Sequence, residues 1–308
     1  MKKQQNNPLF CDPETGVCVI PVDQKISQDT YHQMSPEGKI KLIYYTDPIC
    51  SSCWGIEPQL RKLKLEYGKY LEIEYRMGGL LPDWNYNSGG ISRPSDVAHH
   101  WDEVSVYYDM PIDGDVWLED PLNSSYPPSI AFKAAQIQNH DKAILFLREI
   151  REMVFLQKKN IAKWENLSIA AQKVGLDIVK LKKDIKVKAI KLFEEDLKLA
   201  KELGVRGFPT MFILDDEGNK ELVYGYKPYA SYEKAILKLN PNIVKSDYGK
   251  NWEELFTYYN TLSLKEFSEL SGKPRKESES LLNELANTNK LTKITTKNGA
   301  IWKTLKNK

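Results

Sequence analysis

The amino-acid sequence predicts an α/β domain that is interrupted by a run of helices and followed by a smaller unit of helices and one hairpin. Three observations indicate this class. An alternating apolar segment, residues 39–45, predicts a strand that leads into a Cys-x-x-Cys motif at the start of a helix. A second apolar strand, residues 211–214, follows a proline far along the chain. Between the two strands, apolar residues recur at helical spacing in several successive segments.

The length and charge of the chain exclude some classes of protein. With 308 residues it exceeds one ordinary domain, and its formal net charge of +2 indicates no charged partner. No segment approaches the roughly 18 apolar residues of a membrane helix, and no apolar stretch follows Lys2 and Lys3 as in a signal peptide. We therefore expect a cytoplasmic protein without a membrane partner. Its four cysteines are then expected to be catalytic, redox-sensing or metal-binding rather than structural.

The motif Cys50-Ser51-Ser52-Cys53 is the main candidate for chemistry. Its position predicts that Cys50 lies at the N-terminal end of a helix, where unpaired N–H groups and the helix dipole favour a thiolate. We expect the pKa of Cys50 to fall below the roughly 8.5 of a free cysteine. Cys50 would then attack a disulfide, and Cys53, one turn further on, would resolve the mixed disulfide. Pro58 is expected to kink the helix rather than to start one.

A second motif, Gly-Val-Arg-Gly-Phe-Pro-Thr at residues 204–210, precedes the later strand. Its proline cannot donate to a β ladder, and an X-Pro bond is where a cis peptide costs little. The order of strand, dithiol, helix, insertion, proline motif and hairpin resembles the thioredoxin fold. Together with the proline motif, Asp-Pro-Ile-Cys-Ser-Ser-Cys-Trp at 47–54 and Met-Gly-Gly-Leu at 77–80 resemble the DsbA-type oxidoreductases of the FrnE branch.

This resemblance implies an α/β thioredoxin fold with a DsbA-like helical insertion, and it implies roles for several residues. In such proteins a cis-proline lies opposite the dithiol, where free backbone pairs with a substrate strand. The catalytic residues that it implies are Cys50, Cys53 and Pro209. The residues beside them that are assigned to substrate binding are Trp54, Phe208 and Thr210. The domain would comprise residues 39–243, its insertion at about 83–200 would overhang the dithiol, and no cofactor is expected.

Residues 1–38 form a polar N-terminal segment with two further cysteines, Cys11 and Cys18. Turn-forming residues between them can fold the octapeptide so that its sulfurs meet. Three alternatives remain open: an auxiliary redox pair that exchanges with Cys50 and Cys53, a zinc site built from all four thiolates, or two incidental thiols. Because Cys-x6-Cys is a less common zinc spacing than Cys-x2-Cys, we favour the redox pair over zinc by about two to one.

Residues 250–308 are predicted to form a winged-helix-like C-terminal domain. Ser263 and Glu266 form a capping box at the start of one helix, and Asn-Gly at 298–299 predicts a hairpin. Such units often bind DNA, but the second helix carries glutamates between residues 277 and 284, a poor complement to phosphate. We therefore expect this unit to dock a protein rather than nucleic acid.

Over about residues 39–305 the chain also resembles a bacterial family, the SpxH (YjbH) adaptors. The matching segments include Asp-Val-Trp at 115–117, Lys-Asn-Ile at 159–161 and Asn-Gly-Ala-Ile-Trp-Lys at 298–303. Members of this family are DsbA-like proteins that deliver the transcriptional regulator Spx to the ClpXP protease, so the resemblance implies these two partners. Because the dithiol and proline constellation is complete, we place an oxidoreductase or isomerase of protein thiols and disulfides first and the adaptor second. A redox-controlled transcription factor is a third, weaker alternative.

Overall fold

The computed structural model of the chain describes residues 11–12, 16–19, 39–85 and 93–305. Most of the predicted N-terminal segment therefore lies outside the described residues, and so does the side chain of Cys11. The strands are β1 (Cys11–Asp12), β2 (Val17–Val19), β3 (Ile40–Thr46), β4 (Leu71–Met77), β5 (Gly207–Phe208), β6 (Thr210–Leu214), β7 (Lys220–Tyr224), β8 (Thr261–Ser263), β9 (Leu291–Thr296) and β10 (Gly299–Thr304).

The helices alternate with these strands at both ends of the chain and dominate its middle. They are α1 (Ser51–Gly55), α2 (Glu57–Tyr67), α3 (Pro94–Tyr108), α4 (Val116–Glu119), α5 (Tyr126–Gln138), α6 (His140–Leu156), α7 (Trp164–Lys173), α8 (Ile178–Val187), α9 (Ala189–Glu202), α10 (Tyr229–Leu239), α11 (Trp252–Tyr258), α12 (Leu264–Ser271) and α13 (Arg275–Asn287). A short 3-10 turn, Gly68–Tyr70, joins α2 to β4.

A four-stranded sheet of order β4-β3-β6-β7 forms the centre of the molecule. Strand β3 runs parallel to β4 and antiparallel to β6, which pairs in turn with β7. Every residue of β3 is buried, as expected for a central strand covered on both faces. This arrangement confirms the predicted α/β class, and it brings the segment after β3 next to the segment before β6.

The insertion between β4 and β5 contains helices α3 to α9. Its apolar residues and those of the central sheet belong to one continuous core. The sequence predicts a single helix over residues 181–203, whereas the structure divides this region into α8 and α9 at Lys188. Apolar spacing continues through the bend, so periodicity alone could not locate it. Among the described residues, no helix is both long enough and apolar enough to cross a bilayer.

The helix that follows the dithiol differs from its prediction at Pro58. Helix α1 ends at Gly55, Ile56 is non-helical in its cap position, and α2 starts with Pro58 in its first turn. Proline is well suited to this place because the first N–H groups of a helix have no partner within the helix. The expectation that Pro58 kinks one helix was therefore wrong: it helps to start a second one.

The C-terminal elements have a smaller core of their own. Strands β8, β10 and β9 form an antiparallel sheet, with β9 and β10 joined by the predicted hairpin. Helix α12 starts with a complete capping box, in which Ser263 bonds the Glu266 N–H and Glu266 bonds the Ser263 N–H. The capping box and the hairpin are as predicted, strand β8 was not predicted, and the winged-helix classification and the domain boundaries stay predictions.

Candidate functional site

The dithiol lies where β3 delivers the chain to the first short helix. Cys50 is the N-cap of α1, and its sulfur accepts a hydrogen bond from the Cys53 N–H over 3.2 Å. Both residues are free thiols, and both are 0% exposed. The predicted position of Cys50 at a helix start is therefore confirmed, but neither sulfur is open to solvent.

Burial acts on Cys50 in the opposite direction from the one that the sequence predicts. Exclusion from water raises the pKa of the Cys50 thiol well above its usual value, and the N–H bond from Cys53 does not offset this. Burial also raises the pKa of Cys53, but the hydrogen bond from Cys50 and the positive charge of Arg151 more than offset it, so the Cys53 pKa is lowered. The expectation of a low-pKa Cys50 was wrong, and the anionic form is favoured at Cys53.

The positive charge of Arg151 acts on both thiols of the dithiol, and this residue was not among those predicted from the sequence. It lies on α6 and is 1% exposed. Its guanidinium donates to Glu57 Oε1 over 2.7 Å and to Thr46 Oγ1 over 2.5 Å. An arginine in an amphipathic helix normally faces solvent, so no sequence signal distinguished Arg151.

Asp47 is a buried carboxylate just before the dithiol. Its Oδ1 accepts the Ile49 N–H, and its Oδ2 accepts the Leu80 N–H over 2.8 Å and the Ser125 hydroxyl over 2.9 Å. Burial raises its pKa to about 6 although these hydrogen bonds lower it. Asp47 thus ties three segments together around the site.

The proline motif lies beside the dithiol through the pairing of β3 with β6. The Phe208–Pro209 peptide bond is cis, as the sequence led us to expect. The Phe208 ring packs on Gly78, where an added Cβ would lie 1.7 Å from its Cζ, so the predicted close backbone approach is real. Thr210 is buried and its hydroxyl donates to the Gly207 carbonyl over 2.6 Å.

The chain's own N-terminal strand occupies the backbone edge next to the proline. Strand β2 pairs antiparallel with β5, with Cys18 opposite Phe208 and Val19 opposite Gly207. An added Cβ on Gly207 would lie 2.3 Å from the Cys18 carbonyl oxygen. This is the position in which the resemblance to DsbA-like proteins implies a substrate strand.

Cys18 faces the dithiol from this strand. It is 0% exposed and disulfide-bonded, and its sulfur lies 3.3 Å from the Cys50 sulfur. The Ser52 hydroxyl is 3.4 Å from the Cys18 sulfur and shares a 2.6 Å hydrogen bond with the Tyr108 hydroxyl. The structure therefore brings together Cys18, Cys50 and Cys53, and it adds two hydroxyl groups that the sequence analysis did not single out.

Trp54 is fully buried and packs against the helical insertion. Its indole Nε1 donates to the Pro111 carbonyl over 3.0 Å, its ring stacks on Phe155, and the Arg148 guanidinium covers it at 4.3 Å. Phe208 and Thr210 are buried as well. None of the three residues assigned to substrate binding offers an open surface, and that assignment stays a prediction.

A metal centre was the alternative use of the four cysteines. Within the described residues, no group of three or more His, Cys, Asp or Glu side chains has an arrangement that could hold a metal ion. The disulfide at Cys18 also removes one of the thiolates that the zinc alternative needs. Because the Cys11 side chain lies outside the described part of the chain, the four-cysteine zinc site stays a prediction.

The sheet, the helical insertion and the dithiol next to a cis-proline define a DsbA-like protein of the thioredoxin fold. Residues 44–234 match the thioredoxin family model. A putative protein disulfide isomerase from Nitrosomonas europaea has a TM-score of 0.57 at 19% identity, over 65% of this chain and 97% of its own. The cytosolic disulfide reductase DsbM from Pseudomonas aeruginosa has a TM-score of 0.53 at 21% identity, over 65% and 99%. These similarities show the fold.

The sequence similarity to other relatives covers nearly the whole chain. A protein named ClpXP adapter protein SpxH from Halalkalibacterium halodurans is 34% identical over 306 residues, which is 97% of this chain and 98% of the relative. The protein of the same name from Bacillus subtilis is 30% identical, over 88% of this chain and 91% of its own. The chain therefore belongs to the SpxH family.

Proposed function

We propose that this protein is an adaptor that binds a transcriptional regulator and delivers it to the ClpXP protease. The observation that carries the proposal is the 34% identity to an SpxH adaptor over 97% of the chain, because the disulfide isomerase of similar fold covers only 65% of it. The sequence motifs alone favoured the oxidoreductase, whereas the relatives favour the adaptor. This function would place the protein in the cytoplasm.

The burial of the dithiol also favours the adaptor over the oxidoreductase. An enzyme that acts on many protein disulfides needs its attacking sulfur exposed to them. Here Cys50 and Cys53 are fully buried, and β2 occupies the backbone edge beside Pro209. An adaptor has no such requirement, since it acts by binding two partners at once and raising their effective concentration.

The ion pairs between the C-terminal unit and the rest of the chain favour a protein partner over nucleic acid. At the tip of its hairpin, the Lys297 ammonium lies 2.6 Å from Asp102 and 2.7 Å from Asp115, so two carboxylates neutralise it. On α13, Arg275 pairs with Asp109 over 2.9 Å. Because these cations are already paired with carboxylates, they would contribute little to the binding of phosphate groups.

An oxidoreductase is the second candidate because one observation favours it. The Cys50 sulfur lies 3.3 Å from the sulfur of a disulfide-bonded cysteine, and the Cys50 thiol is also hydrogen-bonded to Cys53. That is the arrangement in which one thiol attacks a disulfide and a second thiol resolves the product.

A reconstituted degradation assay separates the two functions. Purified ClpX and ClpP, ATP and the regulator Spx are incubated with and without this protein, and loss of Spx is followed. We expect degradation to become about tenfold faster with the adaptor, because tethering raises the effective concentration of the client at the protease. The double variant Cys50→Ser, Cys53→Ser should accelerate it equally.

Two further outcomes decide the assignment. A chain truncated before residue 250 should lose client binding, provided that its circular dichroism shows an intact thioredoxin-fold domain. If the full protein leaves Spx degradation unchanged but reduces protein disulfides through Cys50, the adaptor proposal is wrong and the oxidoreductase replaces it.

A further inference from the structure

The N-terminal strand and the dithiol are placed to react with each other. We propose that this protein undergoes an intramolecular thiol-disulfide exchange, in which the N-terminal hairpin is the resident substrate of the Cys50-Cys53 dithiol. This activity is independent of the adaptor function and would persist if that function were disproved. It assigns the incompletely explained cysteines of the N-terminal segment to a reaction within the same chain.

The backbone places the hairpin as a substrate strand. Cys18 and Val19 pair antiparallel with Phe208 and Gly207, so main-chain hydrogen bonds fix the register of the strand on the edge beside the proline. The hairpin is also fixed at its turn, where the Tyr226 N–H donates to the Gly16 carbonyl over 2.7 Å.

The fit depends on the absence of a side chain at one position. An added Cβ on Gly207 would lie 2.3 Å from the Cys18 carbonyl oxygen and 2.6 Å from Val17 Cγ1. Gly207 does not adopt a positive φ, so its lack of a side chain is explained by the approach of β2 rather than by its own backbone.

The sulfurs complete the argument. Cys18 is disulfide-bonded, Cys50 and Cys53 are free thiols, and the chain has four cysteines in all. The hairpin register sets Cys11 opposite Cys18, and our proposal takes Cys11 as the other half of this disulfide. A purely structural disulfide has no need to lie against a nucleophile, whereas this one lies 3.3 Å from the Cys50 sulfur.

The exchange balances without an outside oxidant. The Cys50 sulfur attacks Cys18, so that a Cys50–Cys18 bond forms, the Cys18–Cys11 bond breaks and Cys11 leaves as a thiolate. Cys50 releases its proton to solvent as it attacks, and the Cys11 thiolate takes up a proton from solvent. Cys53 next releases its own proton to solvent and attacks Cys50, forming the Cys50–Cys53 bond, and Cys18 leaves as a thiolate that takes up a proton. Two electrons have moved from the dithiol to the hairpin, and the reverse reaction follows the same steps.

Mapping of disulfides in the variant Cys53→Ser tests the first step. The reduced full-length variant receives one equivalent of oxidised glutathione and is freed of glutathione at acid pH, where exchange stops. It is then incubated without oxygen at about pH 8, where a fraction of the thiols is ionised. After alkylation and digestion, mass spectrometry identifies the linked peptides. We expect the Cys18–Cys50 link to accumulate, because the resolving thiol is missing.

Two glycine variants control for accidental proximity. Adding Gly207→Ala to Cys53→Ser should lower the yield of the Cys18–Cys50 link by about tenfold, because displacing the strand lowers the effective concentration of the two sulfurs. Gly68→Ala is the matched control: an added Cβ there has no neighbour within 4 Å, so the yield should not change.

The wild-type chain provides a test that needs no variant. Its ratio of Cys11–Cys18 to Cys50–Cys53 disulfide should relax at a rate that stays constant over about a hundredfold range of protein concentration, as an intramolecular reaction requires. The proposal is overturned if Cys53→Ser carries only the Cys11–Cys18 disulfide, or if exchange in the wild type slows in proportion to dilution.

Discussion

The N-terminal strand and the C-terminal unit both pack against the thioredoxin-fold domain, but different contacts hold them. The strand is held by a short backbone ladder and by a sulfur contact between Cys18 and Cys50. The C-terminal unit is held by buried ion pairs as well as by apolar contacts: Ile301 belongs to the main core, and Glu266, fully buried on α12, bonds Arg148 over 2.8 Å and Arg61 over 3.2 Å. Oxidation or reduction of cysteines can change the first attachment and leaves the second untouched.

The N-terminal strand thus covers a reactive site, whereas the C-terminal unit is permanently attached to the thioredoxin-fold domain. The contacts of Glu266 also include its own capping box, so helix formation and docking of the C-terminal unit depend on the same side chain. By contrast, the described contacts of β2 involve neutral groups and few residues. We therefore expect the C-terminal unit to stay docked under conditions in which the strand leaves its groove.

The largest expected effect on stability comes from removing the buried charge of Glu266, where the C-terminal unit is attached. Glu266→Gln keeps a residue type that can complete a capping box but leaves Arg148 and Arg61 with less compensation. Because one member of a buried charge network is lost, we expect unfolding in urea to become easier by about 3 kcal/mol.

Glu269→Gln is the matched control on the same helix. Glu269 is partly exposed and pairs with Lys265 over 3.1 Å, so its loss should change the unfolding free energy by no more than about 0.5 kcal/mol. If both variants changed the free energy of unfolding equally, Glu266 would contribute no more than an ordinary surface ion pair, contrary to this prediction.

A second effect concerns the segment that supports the dithiol, and it depends on pH. Burial raises the pKa of Asp47 from its usual 3.8 to about 6, so the folded protein holds this proton more tightly than the unfolded chain does. The stability that this gives is fully present below about pH 4 and is lost as the pH rises through about 6. Over this window the loss amounts to about 3 kcal/mol.

The variant Asp47→Asn cannot titrate at this position and isolates the effect. Its amide leaves one N–H donor around it without an acceptor, which costs about 1 to 3 kcal/mol at every pH. The stability advantage of the wild type over the variant should therefore shrink between about pH 4 and pH 8 in denaturant titrations. An advantage that stays constant would show that Asp47 does not keep its proton in the folded state.

The smallest effect is expected at the rim of the C-terminal unit. Lys297 is part-exposed in its pairs with Asp102 and Asp115, so Lys297→Ala should cost no more than about 1 kcal/mol. The cost should fall further in high salt, which screens exposed charges. If Lys297→Ala lowered the free energy of unfolding as much as Glu266→Gln does, and independently of salt, the main attachment of the C-terminal unit would be at the hairpin tip instead of at α12.

Sequence patterns were sufficient for the local elements of the site. Strand β3, the helix start at Cys50 and the proline motif each have a signature within a few adjacent residues. The pairing of β2 with β5 has none, because two very short strands far apart in the chain carry no periodicity.

The electrostatics of the site were predicted less well, since they depend on tertiary burial. The helix start at Cys50 was foreseen, but its complete burial was not, and burial reverses the direction of its pKa. Arg151 reaches the site from a helix of the insertion, so only the folded chain shows that it faces the dithiol.

The rate at which native Cys50 reacts with iodoacetamide shows most directly whether the N-terminal strand covers the dithiol. Mass spectrometry of digests would follow alkylation of Cys50 in the wild type, in Gly207→Ala and in the control Gly68→Ala. We expect wild-type alkylation about a hundredfold slower than that of a free cysteine, because reaction must wait for the site to open. Gly207→Ala should speed the reaction about tenfold, and Gly68→Ala should leave it unchanged. Alkylation of wild-type Cys50 at the rate of a free cysteine would show that the strand does not cover it.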